Sequence, residues 1–130
     1  MVEWADFQCP YCGMVAPQLK DLQARRPTEL RVIFKHYPLS NECNPYVNHA
    51  MHQFACGAAV AGVCAQKQGK FWEYHDKSFA NQGQLTVPDL KKRAEEMGLD
   101  MAKFNQCLDS GSTKDKIDKD VKEAGTRLGE

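Results

Sequence analysis

Val2, Trp4 and Phe7 fall in partial alternation along MVEWADF, the period of a strand with one covered face, and the stretch ends at a cysteine pair. From Pro10 to about Arg25 the spacing changes. Met14, Val15, Leu19 and Leu22 recur at helical intervals until Pro27 closes the run. Glu29 to Leu39, ELRVIFKHYPL, returns to β-branched and aromatic residues, and Pro38 ends it, so a second strand is expected. Strand, helix and strand in this order make a βαβ unit, whose strands should be parallel and whose crossover should be right-handed.

The remainder reads as helices. Tyr46 to about Gln68 is Ala-rich and apolar, interrupted only by Gly57 and Gly62, and Gly69 ends it. KFWEYHDKSFAN follows with an aromatic face of Phe71, Trp72 and Phe79, which we expect to be core. In LTVPDLKKRAEEMGLD, Thr86 is placed as an N-cap with Asp89 three residues on, a capping-box pattern, and Gly98 is the stop signal. MAKFNQCLDSG and TKDKIDKDVKEAGTRLG complete the series; the Lys/Asp alternation from Lys114 to Lys122 suits a solvated helix face.

Composition narrows the picture modestly. A chain of 130 residues, 42% hydrophobic, supports one core. Seventeen basic residues balance seventeen acidic ones without a long single-sign run, so no nucleic-acid or polyanion partner is expected. No apolar run approaches the roughly 20 residues of a membrane helix. The six cysteines, Cys9, Cys12, Cys43, Cys56, Cys64 and Cys107, point to an oxidising compartment, with buried reduced thiols as the alternative.

The sequence DFQCPYCGMVAPQL places Cys9 and Cys12 where the strand hands over to the helix. Zinc sites usually gather four ligands in two close pairs. Only one close cysteine pair exists, and His49 and His52 suit an exposed helix better, so no metal is expected. A structural staple between Cys9 and Cys12 would close a tiny loop and remove little unfolded-state entropy. Exchange chemistry fits better. The unpaired N–H groups and dipole of a helix N-terminus favour a thiolate at Cys9, Pro10 suits the first turn, and Cys12 is one turn on, in reach of Cys9. The more a thiolate is favoured in the reduced form, the stronger an oxidant the disulfide becomes. Tyr11 brings a hydroxyl but no positive charge, so the oxidant is expected to be milder than one with His between the cysteines. Glu3, an even offset before Cys9, is a candidate buried carboxylate for moving protons to and from Cys12, or else an exposed strand-end residue. Phe7, Pro10 and Tyr11 are expected to line an apolar substrate surface around Cys9.

EWADFQCPYC, VIFKHYPL, QGKFWEYHDKSFANQ, LKKRAEEMGLD and FNQCLDSG occur in that order and at suitable spacing. In these blocks the chain resembles the DsbA-like thiol:disulfide oxidoreductases of the thioredoxin superfamily, the single-domain bacterial group with a helical insertion. The resemblance implies an α/β fold: a thioredoxin-like βαβ portion with the CPYC site over 1–40, a helical insertion over 41–111 and a helix returning to the core over 112–130. It also implies oxidative folding in the periplasm or otherwise outside the cytoplasm, without a cofactor. Reduced exported polypeptides would be the substrates, and a quinone-linked membrane protein the reoxidising partner. By the same resemblance Cys9 is the nucleophile, Cys12 resolves, and Glu3 matches the family's buried acid.

The family's cis-proline loop is not evident. Pro88 in TVP resembles the glutaredoxin loop, but a helix follows, so it reads as a first-turn proline. The chain is therefore expected to stop before the closing hairpin and helix, leaving an apolar edge on the Val2 to Phe7 strand that could support self-association. Of the other cysteines, Cys64 and Cys107 are expected to bridge the insertion, leaving Cys43 with Cys56; four buried thiols are the alternative. A reductase or isomerase of the same fold, a glutaredoxin-like enzyme and a non-catalytic disulfide-rich binding domain are the competing functions.

Overall fold

The structure, a computed structural model, describes residues 1–49, 51–111 and 113–128. Strand β1, Val2–Ala5, is followed by helix α1, Pro10–Arg25, and strand β2, Ile33–His36. Five helices follow: α2, Ala55–Lys67; α3, Phe71–Ala80; α4, Val87–Glu96; α5, Met101–Ser110; and α6, Lys114–Leu128. The final helix was expected over 113–129; Gly129 lies outside the described residues, as do Ala50, Ser112 and Glu130.

The strands are parallel, in register from Val2 opposite Ile33 to Ala5 opposite His36. Paired residues share a face, so Glu3, Ala5, Phe34 and His36 lie on one side and Val2, Trp4, Ile33 and Lys35 on the other. Strand β2 is shorter than its apolar run. At one end Glu29 and Leu30 both donate main-chain N–H groups to Arg26 O, a turn that uses up the approach to the strand. At the other, Pro38 has no N–H for a ladder. Helix α6 covers the second face: Trp4 Nε1 donates to Asp120 O at 3.3 Å, and Lys35 pairs with Glu123 at 3.1 Å. The buried Asp120 also accepts the His36 N–H at 3.0 Å. Among the described residues, β1 has β2 as its one strand partner.

The helix expected from Tyr46 begins only at Ala55. Buried Asn44 explains the delay. Its Oδ1 accepts the Tyr46 N–H at 3.0 Å and its Nδ2 donates to Pro38 O at 2.9 Å, an Asx turn that competes with helix nucleation. A Cys43–Cys56 disulfide closes the resulting loop, with the Cα atoms 6.0 Å apart. Once begun, α2 is apolar all round, as expected of a central helix. Ala58, Ala61, Cys64 and Ala65 join the main core, while Ala59 and Val63 meet Ile117 and Val121 of α6. A Cβ at Gly62 would lie 3.1 Å from Phe7 Cε2, so glycine here lets α2 close on that ring.

The insertion carries the expected local signals. Thr86 and Asp89 form the reciprocal capping box of α4, Pro88 is in its first turn, and Gly111, at φ +68°, ends α5. Tyr74 buries its ring and donates its hydroxyl to Leu90 O at 2.9 Å. A Cys64–Cys107 disulfide joins α2 to α5. Phe79 is core and Phe71 packs against it, but Trp72 is 45% exposed. Tyr74, Phe79 and His75 take the inward face of α3, which turns its neighbour Trp72 outward.

Candidate active site

Cys9 is the N-cap of α1, with extended backbone (φ −71°, ψ 119°). Its sulfur stands where a cap oxygen would and accepts the Cys12 N–H at 3.5 Å. Pro10 opens the helix, Cys9 N–H donates to Asp6 O, and Gly13 N–H donates to Cys9 O, both at 3.1 Å. Both sulfurs are half-buried. They differ in environment. Burial is the main cause that pushes the Cys12 thiol up to about 12; the Cys9 sulfur and the Asp6 charge add to this, while the Asp6 main-chain N–H acts against it.

Asp6 was not singled out from the sequence, yet it is the acid whose charge reaches Cys12. Its side chain is 2% exposed. Oδ1 accepts the Gln8 N–H at 2.7 Å; Oδ2 accepts the Leu39 N–H at 2.8 Å and faces His52 Nδ1 at 2.9 Å. The first of these bonds is a local Asx turn, a signal present in DFQC. Glu3 is half-buried on the strand face shared with Phe34, and burial raises its carboxyl above the usual carboxylate range. It is not among the groups acting on Cys12.

Gln82, from the loop after α3, was also missed. Its Nε2 donates to Phe7 O at 3.0 Å and Cys9 O at 2.7 Å, tying the start of α1 to the insertion. The side chain passes so close to Gly13 that a Cβ there would collide with it, which accounts for a glycine inside the helix. On the opposite side Phe54 N–H donates to Gln8 Oε1 at 2.9 Å. No local pattern could reveal either contact.

The expected apolar surface needs correcting. Tyr11 is 71% exposed and Pro10 is exposed, but Phe7 is only 1% exposed. Phe7 turns into the core, where its ring centroid lies 5.0–6.5 Å from those of Phe34, His36, Phe71, His75 and Phe79. It lies beyond the end of β1, where strand alternation no longer decides which way a side chain points. The exposed apolar side chains next to the cysteines in the chain are Tyr11 and Met14 on α1; Phe54, also exposed, is tied by its main-chain N–H to Gln8. A groove of about 380 Å³ runs between α1 and α3 past Gly13, Ala16, Pro17 and Phe79, with the Lys20–Asp76 ion pair also on its wall. Among the described residues there is no cis peptide, and no group of three His, Cys, Asp or Glu gathers as a metal site.

The sequence profile of the DSBA-like thioredoxin domain matches residues 1–127. Among curated proteins, the Na(+)/H(+) antiporter NhaA 3 of Salinispora tropica is 36% identical over 121 residues, 93% of this chain and 17% of that protein. The Na(+)/H(+) antiporter NhaA 1 of Salinispora arenicola is 38% identical over 108 residues, 83% of this chain and 15% of that protein. The chain thus spans about a sixth of the length of these relatives, and their names describe the longer proteins. Among solved structures, Wolbachia pipientis alpha-DsbA1 matches with a TM-score of 0.74 at 21% identity, covering 99% of this chain and 63% of that one. A variant of that protein with two cysteines replaced by alanine matches with the same score at 20% identity.

Proposed function

This chain belongs to the DsbA-like thioredoxin domain family, and on that premise we propose that it is a thiol:disulfide oxidoreductase that donates a Cys9–Cys12 disulfide to reduced, exported polypeptides. The observation that carries the reading is the asymmetry of the two sulfurs. Cys9 caps the helix beside exposed Tyr11 and Pro10, while Cys12 sits one turn on, where burial pushes its thiol up to about 12. A substrate thiolate attacks Cys9 Sγ; the Cys9–Cys12 bond breaks and its electron pair passes to Cys12, which takes up a proton. A second substrate thiolate then attacks the substrate sulfur of the mixed disulfide, and Cys9 leaves as the thiolate. Two electrons move from substrate to protein, and a quinone-linked membrane protein would return the site to the disulfide. Pro10 and Tyr11, with Met14 and Phe54, would grip unfolded chain; Glu3, half-buried with its carboxyl raised by burial, is proposed as the acid that exchanges protons between the site and water. The two disulfides outside the site, Cys43–Cys56 and Cys64–Cys107, favour an extracytoplasmic location.

The test is an equilibrium with glutathione followed by incubation with a reduced two-thiol peptide. The expected outcome is a potential well above thioredoxin's roughly −270 mV and peptide oxidation that disappears in Cys9→Ser; in Cys12→Ser first converted by oxidised glutathione to a Cys9–glutathione mixed disulfide, a one-thiol peptide should displace glutathione and leave a stable Cys9–peptide mixed disulfide. A potential near that of thioredoxin would favour the reductase.

A further inference from the structure

Asp6 is a buried carboxylate without a lysine or arginine partner among the described residues. Its charge is met by two main-chain N–H groups and by His52, from the loop closed by the Cys43–Cys56 disulfide. That loop is docked, since His52 N–H donates to Leu39 O at 2.9 Å and Phe54 N–H to Gln8 Oε1. The main chain of Asp6 is joined to the cysteine pair through Cys9. Its carbonyl accepts the Cys9 N–H at 3.1 Å, and the Cys9 sulfur in turn accepts the Cys12 N–H at 3.5 Å. The titratable groups acting on Cys12 are Cys9 and Asp6. A turn alone would be served by a neutral side chain, so a buried charge at this place calls for another account.

Resting on the exchange reading above, we propose that Asp6 and His52 are a positioning pair that sets how readily Cys12 departs when Cys9 is attacked. As the new sulfur–sulfur bond forms at Cys9, negative charge develops on Cys12, and the Asp6 carboxylate opposes it. His52 draws the Asp6 charge towards the loop and lowers that opposition. The proton that completes the Cys12 thiol comes from water, so the pair governs the rate without being consumed.

The test uses the oxidised full chain with excess glutathione, timing loss of the Cys9–Cys12 disulfide by acid quench and alkylation. A thiol of lower pKa leaves faster. Asp6→Asn should therefore speed the reaction by about 3–10-fold and His52→Ala should slow it by a similar factor. Alkylation of Cys9 in the reduced forms should stay within about twofold of the parent. Opposite signs are the signature of charge; two variants that slow together, or that leave the rate unchanged, overturn the pair. If Asp6→Asn does not fold, His52→Gln, which keeps a donor towards Oδ2, should recover most of the rate lost in His52→Ala; equal slowing overturns the proposal. A parent chain that does not exchange at all overturns the oxidoreductase reading and this inference with it.

Discussion

Between Asp6 and Gly13 the chain is held by polar partners from far along the sequence, at separations of 33, 46, 73 and 75 residues. Between Ala55 and Ser110 the helices are held by buried apolar side chains, with Tyr74, Leu90 and Phe104 fully covered and a disulfide between α2 and α5. A hydrogen bond contributes about 0.5–1.5 kcal/mol net, whereas a buried large side chain is worth several times that. Damage to the first region should therefore appear as altered sulfur chemistry with modest loss of stability. In the second it should appear as loss of stability with the chemistry intact.

The largest expected effect lies in the insertion. Phe104→Ala should cost about 3–5 kcal/mol in chemical denaturation, while Cys9 in the remaining folded fraction keeps its alkylation rate; a changed rate would show that the two regions are coupled. Replacing Cys64 and Cys107 together by Ala should cost about 2–4 kcal/mol, near the top of that range because the bridged residues are 43 apart. Acid should act on the core beneath β2. Burial lowers the His36 pKa from 6.5 to about 4, so the unfolded chain binds the proton first. Stability should fall as pH drops from about 6.5 towards about 4, by on the order of 3 kcal/mol, and His36→Phe should flatten that part of the profile. The smallest stability change tests the comparison most sharply. Gly13→Ala gains about 1 kcal/mol of helix propensity but displaces Gln82 from Phe7 O and Cys9 O, losing two bonds of similar worth. Stability should fall by no more than about 2 kcal/mol, yet the glutathione exchange rate should change several-fold. An unchanged rate would mean that Gln82 does not position Cys9.

The regular elements were legible where a local period or cap determines them. Alternation through Val2 and Trp4, helical spacing from Met14 to Leu22, and the Thr86/Asp89 box each report on neighbours within four residues. The early start assigned to α2 failed because Asn44 diverts the main chain into a turn stabilised by Pro38, six residues back. Phe7 was misplaced for a related reason, since apolar character alone does not distinguish a ring facing a substrate from one facing Phe34 and Phe79. The cysteines themselves could be read from spacing and helix position. His52 and Gln82 could not, because their partners are set by the docking of loops and not by any periodicity.

Adjacent residues Asp6 and Phe7 are both buried, one among hydrogen-bond donors and the other among aromatic rings. That places a strict demand on chain length. Inserting or deleting one residue between Ala5 and Cys9 would offer the ring to the Leu39 and His52 donors and the carboxylate to the aromatic cluster, each the wrong solvent for the group it receives. Substitutions that keep size and polarity can accumulate around this stretch, but a change of length cannot be absorbed there, so homologous descent should vary its letters far more freely than its count.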